Sequence, residues 1–159
     1  EARESSHVVA SQFVAVHHHS DRAVVLGGVV IRVIPPTTAI EWAAFYGVQV
    51  TGGQIIVYKA LRDDYRSAHG LLYAPGTTQA APDWDSGTKE CSGGLHFSPS
   101  PRAALEFDQQ ATRFVACPVA LEDIRSPQAD DRYPAKIKAR RICAPIYEVD
   151  RYGKALERA

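Results

Sequence analysis

Near the start of the chain a pattern of β-branched residues recurs at an offset of sixteen: Ser6-His-Val-Val-Ala-Ser-Gln-Phe-Val lies over Arg22-Ala-Val-Val-Leu-Gly-Gly-Val-Val. Val8 matches Val24, Val9 matches Val25 and Val14 matches Val30. Each copy holds two short runs, Val8 to Ala10 with Phe13 to Val16, then Val24 to Leu26 with Val29 to Val33, separated by small or polar turn residues. Strands this brief cannot bury a face alone, whereas stacking on similar neighbours covers them. The pattern therefore predicts the last rungs of a β-solenoid over residues 1–36. Two ordinary antiparallel hairpins are the competing arrangement. The chain opens Glu1-Ala2-Arg3 rather than with methionine and reads as a fragment, so its own upstream repeats are expected as the partner of this stretch. Pro35-Pro36 end the column, because neither ring nitrogen can donate to a ladder.

Residues 37–159 are expected to form a compact α+β domain, so that the whole is mainly β. A chain of 159 residues with 45% hydrophobic content can bury a real core without metal or disulfide staples. Eighteen basic and eighteen acidic residues cancel, which excludes the strongly basic footprint of a dedicated nucleic-acid binder. The apolar stretch Ala23 to Ile34 is broken by Gly27, Gly28 and Arg32 and falls short of the roughly 20 residues of a membrane span. Cys91, Cys117 and Cys143 are odd in number and widely spaced, which suits reduced chemistry and a cytoplasmic or virion-associated location. His17 and His19 would share a strand face, but no carboxylate or cysteine stands at a ligand spacing, so a solvated turn is expected and no metal.

Along the body, Thr38-Ala-Ile-Glu41 is a capping-box pattern opening a short helix over about 39–46, with Gly47 at its end. Thr51-Gly52-Gly53 reads as a turn and Gln54 to Leu61 as a buried strand, in which Lys59 is unexpected. Leu71 to Tyr73 is a second short strand. Residues 77–94 form a long turn-rich connection, either mobile or a binding loop. Leu95 to Ser98 is a strand, and Ser100 before Pro101 caps a helix running to about Gln109. Thr112 to Ala120, Lys136 to Ala144 and Ile146 to Val149 complete the strands. Lys136, Lys138 and Arg140 alternate with Ile137 and Ala139, which predicts three cations on a solvated outer sheet face.

Two polar side chains, Lys59 and His96, each stand inside an apolar strand, and a buried polar group is costly unless bonded. They mark either a cleft or a pair of local hydrogen bonds. From the first repeats through Tyr58-Lys59-Ala60, Cys91-x-Gly93-Gly94-Leu95-His96-Phe97 and Lys136-Ile137-Lys138-Ala139, the chain resembles an uncharacterised family of bacteriophage and actinobacterial proteins. In that family, short Ser/His/Val/Ala repeats precede a small C-terminal domain. Residues 54–150 are also similar to the ADP-ribosyltransferase superfamily, with Tyr58-Lys59-Ala60 in the first motif and Gly94-Leu95-His96-Phe97 in the second. Lys59 stands where that superfamily's His-Tyr-Glu branch has histidine, and His96 where it has tyrosine.

This second resemblance implies a split sheet, NAD as cofactor and a host protein as target. It assigns Lys59 to the nicotinamide ribose, His96 to the nicotinamide ring and Glu148 to the developing oxocarbenium-like charge. Tyr58, Phe97 and Ser98 would be flanking cofactor contacts. Two functions thus stand side by side. One is a non-enzymatic module that caps the solenoid end, supplying a binding surface or a homo-oligomer contact. The other is an NAD-dependent transferase.

Overall fold

The computed structural model describes residues 5–19 and 22–156. The chain divides into two compact units, Glu1–Pro35 and Pro36–Ala159.

In the first unit, strands β1 (His7–Val9) and β2 (Ala15–His18) form one layer, and β3 (Val24–Leu26) and β4 (Val29–Arg32) form the next. β1 pairs with β3 and β2 with β4, both parallel. Parallel pairing excludes the antiparallel hairpins. The expected solenoid is nevertheless not seen: the described residues make only these two layers, and they are not equivalent. His7 pairs with Val24 and Ala15 with Val29, so the offset is not the sixteen of the sequence match but changes between the two ladders. The physical reason lies in the corners. Residues 10–14 turn the first layer, whereas Gly27-Gly28 alone turns the second. Both glycines adopt positive φ, and a Cβ on Gly27 would stand 2.3 Å from the Ala10 carbonyl oxygen, so the short corner is possible only without side chains. Val16 and Ala23 are the buried centre, with Val8, Ala10 and Val25 against them. His18 Nε2 lies 3.0 Å from the Ala23 carbonyl oxygen, so this histidine serves the turn itself.

The second unit is mainly β with few helices. Its capping box forms: the Thr38 hydroxyl accepts from the Glu41 amide, the Glu41 carboxylate accepts from the Thr38 amide, and helix α1 spans Ala39–Phe45. Trp42 on this helix is fully buried and donates its indole N–H to the Pro134 carbonyl at 3.0 Å. A two-residue turn then joins β5 (Val50–Thr51) to β6 (Gln54–Leu61). With β8 (Arg113–Ala120) and β10 (Tyr147–Val149) they form an antiparallel sheet in the order β10-β8-β6-β5. β7 (Leu95–Phe97) and β9 (Ile137–Ala139) form a second antiparallel pair. The two sheets meet where Tyr58 and Ser98 exchange both backbone hydrogen bonds, at 2.9 and 3.0 Å. The core runs from Trp42 through Ile55, Val57 and Leu61 to Val115, Val119, Phe97 and Ile146. No helix among the described residues is long and apolar enough to cross a membrane.

Several elements are shorter than the sequence suggests. Helix α2 (Pro101–Ala104) opens as expected, with the Ser100 hydroxyl accepting from the Ala103 amide and Pro101 following, but it ends at Ala104 instead of near Gln109. Asp108 competes there by accepting the Gln110 amide, and the intervening turns close with tighter bonds such as Phe107 N–H to the Ala104 carbonyl. Leu71 to Tyr73 makes a single bridge, Arg66 to Leu72, because the partner segment reverses at once through Gly70. The last strands shrink to Ile137–Ala139 and Tyr147–Val149.

Candidate functional site

Pleating puts Ile55, Val57, Lys59 and Leu61 of β6 on one face, opposite Val119, Cys117, Val115 and Arg113 of β8. Every neighbour of Lys59 in its own strand row is therefore core. Its ammonium is accommodated by donating to the His96 carbonyl at 2.8 Å, and it lies 4.9 Å from the Tyr73 ring centre and 5.7 Å from that of Phe97. Burial lowers the Lys59 pKa to about 8; the Cys117 thiol opposes that shift and Lys136 adds to it.

His96 faces Lys138 across the β7–β9 pair, so the two share a sheet face. Its Nε2 lies 3.1 Å from the Glu90 carbonyl oxygen. A carbonyl only accepts, so Nε2 carries the hydrogen and Nδ1 is left as an acceptor. Burial drives the His96 pKa down to about 4; the Glu90 carbonyl opposes this, and three cations, Lys136, Lys59 and Lys138, add to it. The imidazole is neutral at physiological pH, ringed by lysines.

A cavity of about 280 Å³ is lined by Lys59, His96, Tyr58, Phe97 and Ser98, together with Lys136, Cys91 and Asp108. Five of the six residues singled out from the sequence thus border one space. The sixth, Glu148, does not. It occupies the same row of the sheet as Lys59, since both pair with Val115 from opposite sides. Its carboxylate is engaged elsewhere, accepting from the Tyr65 hydroxyl and from Arg113 Nη1, each at 2.8 Å. The Arg113 guanidinium also lies over the Tyr65 ring, 4.9 Å from its centre. Arg113 is 39% exposed, so this ion pair is worth little: Glu148→Gln is expected to cost about 0.5–1 kcal/mol in a denaturant titration. A loss several times larger would mean that the carboxylate is structurally indispensable.

Of the three cations expected on a solvated outer face, Arg140 is exposed, but Lys136 and Lys138 are covered. Instead of a solvated outer surface, Ile137, Lys138 and Ala139 are all buried, and Lys138 is only 2% exposed. Its ammonium donates to the carbonyls of Asp85 at 2.8 Å and Lys89 at 3.0 Å and to the Ser92 hydroxyl at 2.7 Å, so the turn-rich connection folds over this strand and covers it. Burial lowers the Lys138 pKa and the Asp85 carboxylate opposes the shift. Gly94 makes room for the lysine stem, because a Cβ there would meet Lys138 Cγ at 2.5 Å, and its φ of 151° suits glycine. Lys136 is likewise held, with its Nζ 2.9 Å from Cys91 Sγ and 3.6 Å from Glu90 Oε1. The one sequence signal for this covering was the pair Gly93-Gly94 directly before β7. On Gly93 a Cβ would overlap the Asp83 carbonyl oxygen at 1.6 Å, so the loop returns close upon itself there.

A second cavity, about 380 Å³ and bordered by Trp84, Arg125, Gln128 and Arg140, holds none of the six candidate site residues, although Arg140 of the alternating cations reaches it. Its buried Arg125 is committed to Asp131 through bonds of 2.7 and 2.8 Å. No protein-family model, no curated protein and no solved structure matches the chain.

Proposed function

We propose that the chain is a binding module: a stem of layered parallel strands followed by an α+β globule whose cavity takes a small anionic ligand. The observation that carries this reading is the convergence of Lys59, His96 and Lys136 on one cavity, with cations collected around an imidazole that is itself neutral. The ammonium of Lys59 is met by a carbonyl dipole, not by a carboxylate, while Glu90 lies 3.6 Å from Lys136 and Asp108 lies 3.7 Å from Arg62, so among the described residues of the cavity the Lys59 charge is the one left for a ligand to neutralise. The volume of about 280 Å³ suits one ring or sugar with its anionic group, not a whole dinucleotide. Phe97, Phe107 and Ala104 offer the apolar wall for the remainder.

The test is a calorimetric titration of the full chain with inorganic phosphate and with acetate. Saturable binding that weakens with added sodium chloride and is lost in Lys136→Gln is expected. Lys59→Met should abolish it too; Lys136→Gln keeps the test decisive should the Lys59 variant fail to fold. Absence of binding by either anion would sink the reading.

The ADP-ribosyltransferase-like reading has one observation in its favour, the shared row of Lys59, Val115 and Glu148. Against it stands the pairing of Glu148 with Arg113, which neutralises the charge that the reaction would use. On this reading NAD is slowly hydrolysed, and Glu148→Gln abolishes hydrolysis at the small stability cost given above. An NAD assay with no turnover removes it.

A further inference from the structure

We propose that Cys91 and Lys136 are a redox modification site, joined under peroxide by a covalent sulfur–nitrogen bond. The two residues are 45 positions apart in sequence, yet Lys136 Nζ stands 2.9 Å from Cys91 Sγ. That is the distance of about 2.9 Å usual for N–H···O bonds, and sulfur is the larger atom, so the pair is in tight contact.

The amine is held there from several sides. Its Nζ lies 3.6 Å from Glu90 Oε1, 4.8 Å from the Tyr133 ring centre and 5.5 Å from that of Phe107. The two rings are themselves packed edge to face at 5.5 Å. With a side chain only 10% exposed, Lys136 has little freedom to leave the thiol, and a nucleophile held in place reacts as though at high local concentration. Cys91 in contrast is exposed, so a small oxidant reaches its sulfur. The other two thiols lack this combination: Cys117 is fully buried, and Cys143 is directed to the Pro118 carbonyl at 3.3 Å.

The chemistry balances with one equivalent of a peroxide. The Cys91 sulfur gives an electron pair to one peroxide oxygen; the S–O bond forms, the O–O bond breaks and one water leaves, giving the sulfenic acid. Glu90 takes a proton from the Lys136 ammonium. The freed nitrogen lone pair then attacks sulfur, the N–S bond forms, the S–O bond breaks, and hydroxide leaves as a second water with the proton the nitrogen sheds, while the proton taken by Glu90 passes to solvent. Sulfur is oxidised and peroxide reduced. A thiol reductant reverses the bond by attack at sulfur.

The experiment treats the full chain with equimolar hydrogen peroxide at mildly alkaline pH, followed by intact-mass measurement and tryptic mapping. A product about 2 Da lighter, containing the Cys91 and Lys136 peptides joined and separated again by dithiothreitol, is expected. Cys91→Ser should remain unmodified at this position. Lys136→Arg should leave Cys91 to gain one or more oxygens without a crosslink. If Cys91 in the unaltered protein gains oxygen or forms a disulfide while the Lys136 peptide stays free, the proposal is overturned. Ligand binding does not enter this readout, so the outcome is independent of the function proposed above.

Discussion

Lys138→Met is expected to lower stability by about 2 kcal/mol and to open the loop over residues 85–92. Methionine keeps the apolar stem but removes the ammonium. The carbonyls of Asp85 and Lys89 and the Ser92 hydroxyl then lose a charged donor that stands within 3.0 Å of each. Two effects oppose one another. A buried ammonium is costly to desolvate, and replacing a buried charge by a hydrophobe is often neutral. That applies when both partners are replaced, whereas here the acceptors stay behind, and orphaned buried acceptors cost about 1–3 kcal/mol each. Because Ser86, Gly87, Thr88 and Lys89 are exposed, the loop can rehydrate its acceptors by opening, which holds the loss to about 2 kcal/mol, the cost of one orphaned acceptor and not the sum of three. Chemical denaturation gives the first quantity. Hydrogen exchange at the Asp85 amide, which donates to the Gly93 carbonyl at 3.1 Å, gives the second. An unchanged midpoint together with unchanged protection of that amide would show that the loop is held by something other than Lys138.

Acidification from pH 7 to pH 5 is expected to cost about 2 kcal/mol through His96 alone. Its folded-state pKa of about 4 lies below the 6.5 of the free side chain, with burial as the main cause. Between these values the unfolded chain binds a proton that the folded chain refuses, so stability rises with pH across the window and is lost as pH falls through it. Carboxylates contribute chiefly below this window, which leaves pH 5 to 6.5 to the histidine. His96→Gln keeps a donor for the Glu90 carbonyl and removes the titration, so its stability should be flat over that interval. If the variant loses as much as the unaltered protein between pH 7 and pH 5, the source is another group.

Local chemistry was legible where a residue acts on its immediate neighbours. Thr38 with Glu41, Ser100 with Pro101 and the Thr51-Gly52-Gly53 turn each do what their side chains dictate, because the partner lies within four residues. The site was legible in part for a related reason. Lys59 and His96 were visible as polar interruptions of apolar strands, and a strand places such residues without help from elsewhere. What they touch was not visible: the Lys59 ammonium bonds the backbone of His96, 37 positions away.

The alternation Lys136-Ile137-Lys138-Ala139 shows the boundary most clearly. Period two determined that the lysines share a face, but it could not say whether that face is wet, because its cover comes from a segment 46–53 residues earlier. Likewise the N-terminal valines determined that short strands would pair, while the unequal corners at residues 10–14 and Gly27-Gly28 decided the register and so denied the uniform repeat. By itself the sequence determined turns, caps and the mainly β α+β class, all of which rest on interactions between near neighbours; whether strands pair parallel or antiparallel came only with the structure. Only the tertiary structure decided which charges are buried, which carboxylate is already paired and which thiol touches an amine, since each depends on segments brought together from far along the chain.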